Sequence, residues 1–255
     1  MAPAGAVLNY HLVSYARTWR GSVLSSFVMP VLFVLGFGLS VGSLVNATGR
    51  LGNESYLQFI VPGMIASTAM QVAYGESTWP VMARFQWIRI YDSMVATPLS
   101  IRDILTGDMT FLVLRIISTS AVFLFVTALF GAVASWWALL VPLIAAVVGL
   151  AFAAPMFALT GRSKTGNNFP TVYRFMIIPM SLFAGVFFKV SSLNVGIRWL
   201  AYISPLWHGV ELCRSATSVD HGSMLAAAGH LAYLALWIVA GLWLAYRAFQ
   251  RRLAD

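Results

Sequence analysis

Cysteine is nearly absent: Cys213 is the one thiol among 255 residues, so no intrachain disulfide and no cysteine-based zinc framework can form. Charge is scarce as well. Asp, Glu, Lys and Arg make up 9% of the chain, against roughly 25% in an average soluble domain. With so few charges and 60% hydrophobic residues, the side chains cannot stay covered in water. The mean hydropathy is +0.81. These shortages exclude soluble, disordered, collagen-like and disulfide-scaffold classes. What remains is an all-α integral membrane protein, with residues 1–255 as a single transmembrane domain.

Catalytic signatures are missing too. Neither Gly-x-Ser-x-Gly nor His-Glu-x-x-His occurs, so nothing supports a hydrolase nucleophile or a zincin site. Gly161-Arg-Ser-Lys-Thr-Gly166 has the glycine spacing of a phosphate loop, but Asn167 and Asn168 stand where Lys and Ser or Thr are needed. His208 and Glu211, three apart, resemble half a metal site, but no second carboxylate follows at useful spacing. No metal and no cofactor are expected in this chain. A membrane-embedded enzyme would need an intramembrane catalytic dyad and a channel a polar-lined span, and neither is evident.

A bilayer-crossing helix needs about 20 mostly apolar residues. Six stretches meet this: 23–44, 56–79, 106–131, 136–159, 169–188 and 224–247. The second is the least pure, because it contains Gln71 and Glu76. About twenty polar and aromatic residues precede the first, so no cleavable signal peptide is expected. An even number of spans puts both termini on one side. Twelve of the sixteen Lys and Arg residues fall on that side, with Arg50, Lys189, Arg198 and Arg214 opposite. The positive-inside rule therefore places both termini in the cytoplasm. The net charge of +8 then reflects topology rather than nucleic-acid binding.

Three segments do not span. Residues 6–20 form an amphipathic interface helix, with Leu8, Leu12, Tyr15 and Trp19 as its apolar stripe and Asn9, His11, Arg17 and Arg20 between them. It anchors the first span or also meets a cytoplasmic partner. Residues 81–105 are too long for a mere connection, since helix–helix links run about 2–8 residues. Their mixture of Phe85, Trp87, Ile88 and Ile90 with Arg84, Arg89 and Asp92 fits either a groove on another protein or a membrane-resting loop. Ser100 and Asp103 then cap the next helix. Residues 189–222 read as two short external helices forming a re-entrant hairpin, one over 191–203 and one opened by Ser204 and Pro205. They are an inert cap or a lid.

Charges inside spans are costly and usually paired. Glu76 and Arg115 are expected to meet between neighbouring antiparallel spans; a snorkelling Arg115 is the alternative. Met70 and Tyr74 in the second span, with Met180 and Phe183 in the fifth, offer soft and aromatic surfaces for an apolar substrate path, or simply pack.

Three stretches resemble a known family. Tyr56-Leu-Gln-Phe-Ile-Val-Pro-Gly63-Met64, Tyr91-Asp-Ser-Met-Val-Ala-Thr-Pro-Leu99 and Ser204-Pro-Leu-Trp-His208-Gly-Val-Glu211-Leu-Cys-Arg214 look like a permease subunit of the type-2 ABC exporters, in the branch that includes nodulation-factor and drug-resistance exporters. The resemblance implies a homo- or heterodimer of permeases in a bacterial inner membrane, each bound to a separate cytoplasmic ATPase that holds ATP and Mg. It implies that Arg84, Arg89, Tyr91, Asp92 and Met94 contact that ATPase through a coupling helix, while His208, Glu211 and Arg214 shape an external gate. The cargo it implies is a drug, antibiotic or lipid-like molecule, with polysaccharide or lipid-linked glycan as the alternative.

Overall fold

The computed structural model describes residues 3–42, 44, 55–218 and 223–254. Arg50, expected in an external loop, lies outside the described residues, as does His221. Every regular element among the described residues is helical.

The chain opens with α1 (Pro3–Tyr15) and α2 (Trp19–Phe33), which continues into a π-helical turn over Val34–Val41. α1 ends earlier than the expected 6–20, because the amides of Ala16, Arg17 and Thr18 fold back onto Leu12, Ser14 and Tyr15. Its inner face also differs from the expected stripe. Leu12 and Trp19 are 43% and 46% exposed, whereas Val7 and His11 are buried. A polar partner for His11, described below, decides the orientation.

Next comes α3 (Tyr56–Ser77), opened by a capping box in which Ser55 and Gln58 satisfy each other's amides. Two short helices follow, α4 (Trp79–Gln86) and α5 (Ile90–Val95). The expected single coupling helix is therefore broken. Arg89 supplies the break with φ 54°, a left-handed conformation that L-residues adopt at a steric cost. α6 (Ile101–Leu129) begins at the Ser100–Asp103 capping box.

A 3₁₀ turn over Trp136–Leu140 leads into α7 (Val141–Arg162). The expected fifth span is interrupted: α8 (Asn168–Val172), a π turn (Tyr173–Ile177) and α9 (Ile178–Phe183) end well before residue 188. At 1.5 Å per residue, 168–183 rises only about 24 Å. Gly185, at φ +85°, turns the chain away. The segment after it forms α10 (Val195–Ile203) and α11 (Pro205–Thr217). α10 starts later than expected, because the Asn194 side chain caps Gly196 and fixes its first turn. The long α12 (Met224–Ala254) closes the chain.

Among the described residues, three helical stretches are long and apolar enough to cross a membrane: Ile101–Leu129, Trp136–Arg162 and Met224–Leu253. α3 has the length but a more polar sequence. Most of its residues are buried against other helices, Ser67 and Ser77 among them, while Gln71 is exposed. α7 is the axis of the molecule and touches α3, α6, α11 and α12. Trp136 and Trp137 stand at its start, where amphipathic rings suit a membrane interface.

Candidate functional site

The strongest concentration of buried polar chemistry lies where α1, α4, α5 and α6 converge. At its centre is Asp108, only 3% exposed although it carries a carboxylate. His11 Nε2 on α1 lies 2.5 Å from Asp108 Oδ1. The Tyr91 hydroxyl on α5 donates to Asp108 Oδ2 at 2.5 Å. Arg84 on α4 places Nη1 3.1 Å from the same oxygen and donates to the Tyr91 oxygen at 2.9 Å. One carboxylate thus ties together four helices.

Each arm is placed by local packing. Gly107 lets α1 approach α6 so closely that an added Cβ would stand 2.6 Å from the Val7 Cβ. One and two turns along, His11 stacks on Phe111 at 4.8 Å, and Tyr15 meets Phe111 and lies under the Arg115 guanidinium. Tyr91 is fully buried, its ring 4.6 Å from Phe85 and 5.5 Å from Phe249 of α12. Burial pushes the Tyr91 phenol up; Arg84 opposes this and Asp108 adds to it, leaving the hydroxyl protonated as a donor. Burial works against the Arg84 cation, yet Tyr91 and Asp108 outweigh it and hold its pKa above the ordinary value. Such a buried cluster is stable only when complete, because removing one partner strands a charge.

Sequence reasoning missed Asp108 and His11. Asp108 is one carboxylate in a strongly apolar run, and His11 falls on the side taken as polar. Arg84 and Tyr91 were expected to touch a partner, but both turn inward. The outward face of the 79–95 segment instead carries Trp87, Ile88, Arg89 and Asp92, all exposed, with Met94 half-buried. Arg89 Nε pairs with Asp92 Oδ2 at 2.8 Å, a solvent-exposed contact of small energetic value.

The structure brings Glu76 and Arg115 together, with Arg115 Nη2 3.3 Å from Glu76 Oε1. That contact links α3 to α6 directly beside the Tyr15–Arg115 stack. Of the residues read as a substrate path, Met70 is fully buried in the core. Tyr74 donates to the Phe169 carbonyl at 2.7 Å, tying α3 to α8. Met180 is half-buried and Phe183 exposed on α9. The Gly161–Gly166 segment ends α7 and turns. It presents helix carbonyls, the wrong polarity for phosphate, and Arg252 occupies those of Thr160 and Ser163 at 2.8 Å each.

At the opposite end, Leu206, Val210 and Cys213 bury one face of α11 completely. Gly209 fits directly against the Val148 side chain, with no room for a Cβ. Arg214 donates to Glu211 Oε1 at 2.8 Å and to the Gly185 carbonyl at 2.9 Å. His208 Nε2 meets the Tyr202 carbonyl at 3.0 Å, so it must donate there; its Nδ1, 2.7 Å from His230 Nδ1, then accepts from His230. Among the described residues, no group of three or more His, Cys, Asp or Glu is placed to hold a metal ion.

Comparison with known proteins places this arrangement in context. Residues 4–217 match the family model of the ABC-2 type transporter. Nodulation protein J of Rhizobium leguminosarum bv. viciae is 29% identical over 258 residues, covering 98% of this chain and 97% of that protein. Nodulation protein J of Sinorhizobium fredii is 28% identical, over 97% of this chain and 93% of its own length. The inner membrane transport permease YadH of Escherichia coli K12 is 24% identical over 200 residues, covering 75% of this chain and 73% of its own.

Proposed function

The chain belongs to the ABC-2 type transporter family, and on that premise we propose that it is the permease of an ATP-driven exporter for amphipathic cargo. It is the membrane subunit and not an enzyme; ATP turnover belongs to a separate ATP-binding subunit. In our reading six segments cross a bacterial inner membrane, with both termini cytoplasmic, and two permease copies, identical or related, form the pathway. Residues 168–183 cross with help from the irregular 184–190 stretch, and α10 and α11 re-enter from outside.

The observation that carries the reading is the Asp108 cluster. It gives the 79–95 segment a rigid attachment to α1 and α6 at once. Force applied at the exposed Trp87–Asp92 face therefore reaches α6 through Tyr91 and Arg84 without passing through a flexible loop. In this account Arg89, Asp92 and Met94 meet the ATPase, which carries ATP and Mg, while Arg84 and Tyr91 act as positioning residues behind them. Glu76 and Arg115 pass the movement on to α3. His208, Glu211 and Arg214 hold the external gate closed until α11 shifts.

The cargo we favour is a drug, antibiotic or lipid-like molecule, because the half-open faces around Met180 and Phe183 are apolar and adaptable. The rings of Trp199, Tyr202, Trp207 and Tyr233 around His208 favour a second reading, export of a polysaccharide or lipid-linked glycan. Flat ring faces with polar tips suit sugars that carry both characters.

The docking face is testable by exchanging Arg89→Glu with Asp92→Arg in one variant. The pair can re-form within the chain, so the fold is kept while the charge shown to a partner is inverted. The tagged wild type should retain a separate ATPase on purification from bacterial membranes. The exchanged variant should lose it, together with coupled ATP turnover. Normal retention and turnover in that variant would defeat the assignment.

A further inference from the structure

Outside the cluster, a groove of about 580 Å³ lies between α6, α7 and α12, lined by Met109, Val113, Leu150 and Leu242 within and by Arg102 and Tyr246 at one end. It is open to the surface and mostly apolar, so water is a poor occupant. From Arg102 to Val113 it follows α6 for about 16 Å at 1.5 Å per residue. That is half of a hydrocarbon core roughly 30 Å thick, the depth of one leaflet.

The end of the groove is built differently. Arg102 stacks its guanidinium 5.4 Å from the centre of the Tyr246 ring, and Arg247 lies 3.8 Å over Trp243. Both guanidiniums are exposed. Stacking holds them in place while leaving their N–H forks free for an anion. The neighbouring carboxylate, Asp103, is engaged with the Ser100 amide at 3.0 Å and with its hydroxyl.

We propose that this groove binds one anionic phospholipid of the inner leaflet, an acyl chain lying along Met109 and Val113 and the headgroup phosphate between Arg102 and Arg247. Basic pockets between membrane helices on the cytoplasmic side suit such headgroups. A neutral lipid fills the groove equally well but gains less from the two cations. The assignment to the inner leaflet rests on the topology proposed above.

The test uses the full-length chain purified in detergent, with dioleoyl phosphatidylglycerol and dioleoyl phosphatidylcholine as probes. Native mass spectrometry and thermal unfolding should show one phosphatidylglycerol held about tenfold more tightly than phosphatidylcholine, a difference of about 1.4 kcal/mol. Arg102→Ala and Arg247→Ala should each erase most of that preference. Thr106→Trp, a substitution at an exposed lining position, should block the chain and lower the binding of both lipids while the protein elutes unchanged. Equal binding of the two lipids, or a preference that survives Arg102→Ala, would overturn the proposal. So would glycerol phosphate competing as well as the whole lipid, which would mark a free-phosphate site. Labelling of an Arg102→Cys variant separates the two readings. Reaction with an impermeant maleimide in intact cells would refute the topology and the inner-leaflet assignment together. Cytoplasmic labelling without lipid preference would refute the lipid site alone.

Discussion

The two ends of this molecule are held by different physics. At the α4–α5 end, a buried carboxylate is shared by a histidine, an arginine and a tyrosine from three other helices. At the α11 end, the buried contacts are made by small and apolar residues, with Gly209 against Val148 and Cys213 buried, while the polar contacts of His208 with Tyr202 and His230 and of Arg214 with Glu211 and Gly185 are only partly covered. Ionic hydrogen bonds are directional and fix an angle, whereas van der Waals contacts between small residues let helices slide at modest cost. The comparison teaches that buried ionic contact is concentrated at the α4–α5 end; on the function proposed above, that is where movement enters, and the looser end is where cargo leaves.

The sharpest way to break that contrast is Asp108→Ala. It strands Arg84 and His11 and should lower stability by about 3–5 kcal/mol, seen as a lower unfolding temperature in detergent. Truncating one neighbour should not rescue it, since a second unmatched group remains. Gly209→Ala should cost about 1–3 kcal/mol through overpacking. Here a single companion change, Val148→Ala, should restore most of the loss in the same assay, because shape and not charge is the problem. If Asp108→Ala were rescued as easily, the two ends would not differ in kind.

Smaller effects sharpen the picture. Glu76→Ala and Arg115→Ala should each reduce folded yield, by an amount equivalent to about 1 kcal/mol for a partly exposed pair. A double-mutant cycle checks whether the two losses overlap. Arg89→Gly should leave stability unchanged or raise it by up to about 1 kcal/mol, because glycine tolerates φ 54° freely. It should still weaken ATPase retention, separating the strain at this residue from its surface role.

Much of this was legible from sequence. Apolar runs located α3, α6, α7 and α12, and capping chemistry set the start of α6 at Ser100 and of α11 at Ser204. The Glu76–Arg115 encounter followed from the cost of lone charges in lipid. Other features were hidden for identifiable reasons. The break at Arg89 rests on a left-handed backbone that no glycine announces. The split of the fifth segment depends on a π turn, which no residue type announces. Most of all, the Asp108 cluster joins residues up to 97 positions apart. The inner face of α1 is chosen by His11 meeting that carboxylate, so within the expected stripe Leu12 is turned outward while Tyr15 still packs against Phe111. Gly107 gave one signal that was available: a small residue beside a buried charge marks a place where another helix comes close.

The most direct test of the central claim is Tyr91→Phe in the reconstituted permease–ATPase complex. Phenylalanine keeps the buried ring between Phe85 and Phe249 but removes the hydrogen bonds to Asp108 and Arg84. Hydrogen bonds to charged groups are worth about 1.5–3 kcal/mol, so coupling should weaken by roughly tenfold or more. The account predicts a complex that assembles and hydrolyses ATP at its basal rate, with transport per ATP reduced at least that much. Undiminished transport at normal assembly would contradict it, and would mean that movement reaches α6 by a route other than the Asp108 cluster.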